Sequence, residues 1–301
     1  MKLHHILVTL LRFSVFAGVV TGLQAQGTLT VTVLDFQLHG LAVVLKTPTG
    51  KTWLVDTGPG EKGPYYGARD VILPLLKRAG VSALDGVIIS HPHNDHRGGL
   101  AYLVDNIPIR ELVDGGYAEI GGSELETYRK LRARYVAGGG RSTIVKTGSR
   151  LALDAGLDAE ILWPPAGLHR PDPTKKDDQL YNANSVVLRL QHGANVFLFP
   201  GDNHGLTSTA TVIDPATLKC DLLVAPHHGL NSNAAMAELT RPKIVLVASL
   251  AQYQPSLIRP YELTQGAFQG VGSAVYATWV HGDITAVSDG KKIQVTTARQ
   301  P

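Results

Sequence analysis

Ser90-His91-Pro92-His93-Asn94-Asp95-His96 is the stretch on which the reading of this chain turns. Three histidines and an aspartate fall within six residues. Just upstream, Val87-Ile88-Ile89-Ser90 starts apolar and β-branched, which predicts a short buried strand. Gly98-Gly99 follows, then an apolar stretch with helical character. Four metal-ligating side chains therefore belong on a loop at the C-terminal end of a strand, where open α/β sheets place ligands. Imidazole and carboxylate together suit zinc and related divalent ions. The competing reading is a histidine-rich surface turn that binds nothing.

Three further strands end the same way. Phe197-Leu198-Phe199-Pro200-Gly201 runs into Asp202, Leu222-Leu223-Val224-Ala225-Pro226 into His227-His228-Gly229, and Trp53-Leu54-Val55 into Asp56-Thr57-Gly58. Any one of these polar residues alone reads as a turn residue or a cap. Four strand ends carrying Asp or His together predict loops that converge on one site.

Outward from these pieces the chain reads as strand-rich with interspersed helices. Strands are predicted at 28–35, 41–46, 52–55, 111–114, 143–146, 159–163, 185–190, 195–199, 222–225, 244–248, 274–278, 284–288 and 292–296. Helices are predicted at 69–79, 123–137, 234–240 and within 260–269, with Ser123 and Glu126 spaced as a capping box. Pro164 to Lys176 reads as a loop or lid. His39 reads as an exposed turn histidine or as a residue facing the site, His192 as part of a hairpin turn, and Cys220 as a core residue. His204, two residues after Asp202, is left open between site and surface.

The 301 residues are 44% apolar and 18% charged, with 32 Gly and 17 Pro, enough chain for a substantial core with many turns. No linker divides it, so a single domain over 26–301 is expected, its apolar sheet faces covered by helices. Residues 1–25 read as an export signal: Lys2, an apolar stretch from Ile6 to Val20 interrupted by Arg12, and small residues up to Ala25. Its apolar run is short for a membrane span, and no other segment approaches that length. Removing it takes away two cations and no acid, so the formal charge falls from +3 to +1. A near-neutral protein carries no general electrostatic signature for nucleic acid. The lone Cys220 excludes an intrachain disulfide.

Together the pieces resemble the metallo-β-lactamase superfamily, whose His-x-His-x-Asp-His is matched by His91, His93, Asp95 and His96. The resemblance implies an α/β fold, a four-layer αβ/βα sandwich of two mixed sheets with helices on the outer faces, over about residues 28–298. It implies a metal-dependent hydrolase with one or two divalent ions, zinc first and manganese or iron as alternatives. His91 and His93 would hold one ion; Asp95, His96 and His228 the other; Asp202 would bridge them. Asp56 would orient the ligands from behind. Asp95 would also act on the attacking water, and His227 would serve as a proton donor.

Asn184-Ser185-Val186-Val187-Leu188, Pro-His-His-Gly and the ending His281-Gly282-Asp283-Ile284 resemble the ComEC/Rec2 group of competence proteins more narrowly. Two positions depart from the wider pattern. Asn184-Ser185 stands where the superfamily usually supplies a third histidine to the first metal, as it does in the ComEC-like group. Leu38-His39-Gly40-Leu41 lacks the acid that this group commonly carries there. The resemblance implies a phosphodiester substrate, nucleic acid or phosphorylated envelope material. The alternatives are an ester, lactone or β-lactam, and a binding module that keeps metal for structure.

Overall fold

The computed structural model describes residues 27–117, 121–167, 169, 177–248, 256 and 258–300; the expected export signal lies outside them. Two sheets carry the fold. The first runs, in spatial order, Ile293–Thr297, Ile284–Ser288, Leu29–Val33, Val43–Lys46, Thr52–Val55, Gly86–Ile88, Glu111–Asp114 and Arg141–Ile144. The second runs Ala274–Ala277, Ile244–Val247, Leu222–Val224, Asn195–Phe199, Val187–His192, Leu157–Trp163 and Arg150–Leu151. Both are mixed, antiparallel on one side and parallel on the other.

Alternation along the strands explains the layering, because successive side chains leave opposite faces of a sheet. Phe197 and Phe199 enter the core between the sheets, while Leu198 joins the core beneath the outer helices. Leu222 and Val224 likewise point inward and Leu223 outward. In the first sheet Trp53 and Val55 face the second sheet, and Leu54 faces the helices. Strands buried on both faces need helices on both outer sides. Leu73–Arg78, Leu100–Asn106 and Ser123–Ala137 cover the first sheet; Ala234–Thr240 and Ile258–Gln269 cover the second. The result is the expected four-layer sandwich.

Phe197 is fully buried in the central layer. Phe197→Ala should lower unfolding stability by about 3–5 kcal/mol, the usual range for a deleted core aromatic. Denaturant unfolding checks this; a loss under about 1 kcal/mol would mean that the two sheets do not share this core.

Several local expectations are corrected. Gly122, not Ser123, caps the helix Ser123–Ala137 and no side-chain capping bond forms; Glu126 pairs with Lys130 at 2.9 Å instead. His192 flanks the expected hairpin turn as the last residue of its strand, paired with Asn195, and it is fully buried with Nδ1 2.9 Å from Ser288 Oγ, so it also joins the two sheets. Asp177–Ala183, unassigned from sequence, is a helix.

Candidate metal centre

Parallel pairing brings the four strand ends together. Thr52–Val55 lies parallel to Gly86–Ile88, and Asn195–Phe199 parallel to Leu222–Val224, so each pair delivers its C-terminal residues to one edge. Asp56, His91, His96, Asp202 and His228 meet there, each at most 4% exposed. Backbone in the left-handed region aims three of the side chains: Asp56 at φ 61°, His227 at 51° and His228 at 56°. Such conformations cost about 1–3 kcal/mol each for a non-glycine residue and persist only where surrounding contacts enforce them. Gly201, at φ 54°, meets a different need. A Cβ there would lie 2.6 Å from Ser90 Cβ, so glycine lets the Asp202 turn close onto the histidine loop.

Asp56 organises the cluster from behind. Its Oδ1 accepts from Ser90 N at 2.7 Å, and its Oδ2 lies 2.7 Å from Ser90 Oγ and 2.8 Å from His96 Nδ1. A carboxylate only accepts, so His96 carries its proton on Nδ1 and its Nε2 presents a lone pair. Ser90 Oγ donates to Asp56 and accepts from His91 Nδ1 at 3.0 Å, which leaves the His91 Nε2 lone pair facing the site. His228 Nδ1 donates to the Ala248 carbonyl at 3.1 Å, with the same result. Three buried imidazoles thus turn bare nitrogens inward, each set by what the other nitrogen touches.

Those nitrogens meet carboxylate oxygens. His96 Nε2 lies 3.1 Å from His228 Nε2, 2.9 Å from Asp202 Oδ1 and 3.8 Å from Asp95 Oδ2. His228 Nε2 lies 3.1 Å from Asp95 Oδ2 and 3.9 Å from Asp202 Oδ1. A tetrahedral ion with ligand bonds near 2.0–2.1 Å separates its ligand atoms by about 3.3 Å, inside that spread. Asp202 Oδ1 is buried with no hydrogen bond of acceptable geometry, although His96 Nε2 is close. While the imidazoles are neutral, lone pairs packed at this range repel one another, and a second proton on His96 or a cation relieves them. A divalent cation resolves the conflict, so the residues fit the metal.

A second cluster joins the first through Asp202. His91 Nε2 lies 2.8 Å from His93 Nδ1 and 3.7 Å from Asp202 Oδ2. Asp202 therefore turns one oxygen to each cluster: Asp95, His96 and His228 on one side, His91 and His93 on the other.

The electrostatics agree. Burial works against charge on His96, but Asp202, Asp56 and Asp95 outweigh it and raise its pKa well above the imidazole norm. Burial, reinforced by His96, lowers His91 well below that norm. Burial would raise Asp95 and Asp202, yet the facing histidines hold both well below the carboxylate range. The edge collects positive charge, as proton or as metal ion.

The flanking residues divide by what they touch. Asn184 does not reach the clusters; its amide clamps both backbone groups of His169 and the Leu180 carbonyl. Ser185 Oγ accepts from Asp202 N at 3.2 Å and so seats the shared carboxylate. His227 is a quarter exposed, its Nε2 3.9 Å from Asp202 Oδ2, and burial lowers its pKa to about 4. His204, left open by the sequence, stacks on His227 with ring centroids 5.1 Å apart. Of the two readings of His39, the one facing the site holds, its Nε2 3.1 Å from Asp95 Oδ2. Tyr181 escaped the sequence reading; its ring packs edge-on against His93 from the helix Asp177–Ala183. No pattern in the chain marks it, because that helix was hidden in a polar stretch.

Residues 36–246 match the Metallo-beta-lactamase superfamily, a span holding every residue of both clusters. The chain belongs to that superfamily. As a metallo-β-lactamase-fold protein it is a metal-dependent hydrolase, and its ComEC/Rec2-like character appears in its curated relatives. Recombination protein 2 of Haemophilus influenzae is 27% identical over 264 residues, covering 87% of this chain and 29% of the relative. Competence protein ComA of Neisseria gonorrhoeae is 29% identical over 245 residues, 81% of this chain and 30% of the relative. ComE operon protein 3 of Bacillus subtilis is 26% identical over 208 residues, 67% and 25%. The chain thus spans about a quarter to a third of the length of these relatives. Among solved structures, Igni18, a metallo hydrolase from Ignicoccus hospitalis, aligns at TM-score 0.48 and 12% identity, covering 90% of this chain and all of that one. Among the described residues no helix is long and apolar enough to cross a membrane.

Proposed function

We propose that this protein hydrolyses phosphodiesters, nucleic acid or phosphorylated envelope material, with two divalent ions, zinc in first place, held by the paired clusters. The observation that carries the proposal is the shared carboxylate: Asp202 offers Oδ1 to one group of ligands and Oδ2 to the other. Two cations held side by side suit a phosphate, whose attacking and leaving oxygens both need charge neutralised. The cluster of His91, His93 and Asp202 offers three protein ligands, which leaves room for a substrate oxygen. Similarity to a recombination protein and to a competence protein favours a nucleic-acid substrate.

The ions would lower the pKa of a coordinated water to about 7 and polarise the scissile bond. The chain's own residues do the rest. Asp95, a quarter exposed and held ionised by its histidine neighbours, accepts the proton from the attacking water. His227 faces Asp202 from the solvent side; with its pKa lowered to about 4 it is neutral at pH 7, so it serves the leaving oxygen through the hydrogen bond of its ring N–H. Asp56 keeps the lone pairs of His91 and His96 aimed inward. With Asn184 spent on the His169 backbone, nothing at that position completes a three-histidine cluster. That speaks against a β-lactam, the runner-up along with esters and lactones. We also infer export, on the strength of the apolar run after Lys2.

Metal analysis of the purified protein, followed by a panel of a single-stranded oligonucleotide, bis(p-nitrophenyl) phosphate, a lactone and a β-lactam, tests the proposal. Phosphodiester turnover that chelation abolishes and zinc restores is expected. Asp95→Ala should lower that turnover by about 10²–10⁴-fold, the usual worth of a positioned general base, with an unchanged fold by circular dichroism. Full activity in folded D95A protein would sink the role of Asp95. Turnover of the lactone or β-lactam alone would replace the phosphodiester reading.

A further inference from the structure

His39 stands on the loop that follows Leu29–Val33, where the sequence lacks the acid of the ComEC-like group. Its Nε2 lies 3.1 Å from Asp95 Oδ2, and its ring sits 4.0 Å from the ring of His228. Its other nitrogen, Nδ1, is buried with no partner among the described residues, so the hydrogen bonding of this side chain is spent on Asp95. The loop is fastened to the same residue through the main chain. Leu41 N donates to the Asp95 carbonyl at 3.0 Å, and Gly58 N donates to the Leu41 carbonyl at 2.8 Å.

Asp95 needs such a hold. Of the carboxylates at the site it is the most exposed, at 24% of its side chain, against 3% for Asp202 and none for Asp56. The Asp56 carboxylate is fixed by the backbone and hydroxyl of Ser90, and Asp202 by its burial and by the bond from its backbone N to Ser185 Oγ. Among the described residues the Asp95 carboxylate pairs with histidines: His39, His228 and, at 3.8 Å, His96. His96 and His228 would both turn their Nε2 to the cation, which leaves His39, among the described residues, as the neighbour able to donate to Asp95 while the ion is bound.

We propose that His39 is a positioning residue: its Nε2–H holds the Asp95 carboxylate at the metal cluster and at the attacking water. The inference rests on the metal-centre reading but not on the identity of the substrate. It links the loop after the first strand to occupancy of the ion that Asp95 shares with His96 and His228.

Zinc titration against a chromophoric chelator, without substrate, decides it. His39 lines a cavity of about 280 Å³ with Leu38, Pro59, Gly60 and Asn94, so smaller or polar replacements meet open space. H39A should still bind the wild-type number of zinc ions at saturation, but hold one of them about 10–100-fold more weakly, the usual effect of losing a group that orients a ligand. H39Q, whose amide nitrogen reaches the place of Nε2, should stay within about threefold of wild type, while H39N, whose amide reaches only the place of Nδ1, should behave as H39A. On whichever substrate the panel identifies, kcat should fall in H39A and H39N with KM little changed. Should H39A fail to fold, H39Q against H39N decides the matter.

Wild-type zinc affinity in both H39A and H39N would overturn the proposal. So would loss of a whole zinc equivalent at saturation, which would make His39 a ligand. D95A serves as the reference: unchanged zinc affinity there would remove the group through which His39 acts. A failure of the phosphodiester panel alone leaves the zinc titration, and hence this inference, standing.

Discussion

Asp202→Asn should abolish hydrolysis, by at least about 10³-fold, beyond the 10²–10³ that loss of a single preorganised electrostatic group costs. Its two oxygens serve both clusters, so one substitution removes the negative charge from two cation sites and turns an amide N–H₂ into one of them. Metal analysis should show loss of at least one equivalent, with circular dichroism unchanged. The pH dependence of stability offers a second readout in chelator-treated protein. Burial alone would raise the Asp202 pKa, but His96, His228 and His91 outweigh it and hold it well below the carboxylate range. A depressed folded-state pKa stabilises above the unfolded value, near 3.9, and that contribution is lost as pH falls below it. Wild type should therefore lose melting temperature below about pH 4, and D202N should lose less over the same interval. Equal metal content and activity in D202N would refute the two-cluster reading.

Asp56→Asn should cost nearly as much, although Asp56 touches no ion. The carboxylate accepts from His96 Nδ1 and, through Ser90 Oγ, sets His91 as well. An asparagine can present its N–H₂ to His96 Nδ1, which moves the proton of that imidazole to Nε2 and points a donor at the cation. Loss of activity by about 10²–10⁴-fold is expected, the upper end being what a wrong histidine tautomer costs a catalytic triad. Metal affinity should fall about 10–100-fold. D56N should fold, because the amide still accepts from Ser90 N. An activity within about twofold of wild type would show that the tautomers are set by something other than Asp56.

Much of this was legible in the chain because it is local. The run from Ser90 to His96 places four ligating groups within one turn of a strand-end loop, and Asp202 and His228 follow apolar strands directly. The choice of His228 over His227 rested on the spacing to Gly229, and His228 is the one that lies 3.1 Å from His96 and from Asp95. His39 stays between two readings because nothing in Leu38-His39-Gly40 distinguishes a turn from a wall of the site. Its orientation is fixed by Leu41 bonding to Asp95, more than fifty residues on. At His192 the sequence marks the hairpin turn through Gly193, but not that the ring bonds Ser288 of the other sheet. The capping box at Ser123 failed because the helix begins one residue earlier than the spacing assumes.

The sequence by itself determined the type of chemistry, the strand ends that carry it and the alternation that makes four layers, since all three follow from residue type and spacing within a few positions. Only the tertiary structure decided which lone pairs meet, that Asp202 divides its oxygens between two clusters, that Asn184 turns away from them and that His39 turns toward them. Those facts depend on the register of parallel strands and on hydrogen bonds between residues far apart in the chain, and spacing along a sequence carries no record of which nitrogen of a histidine is left bare.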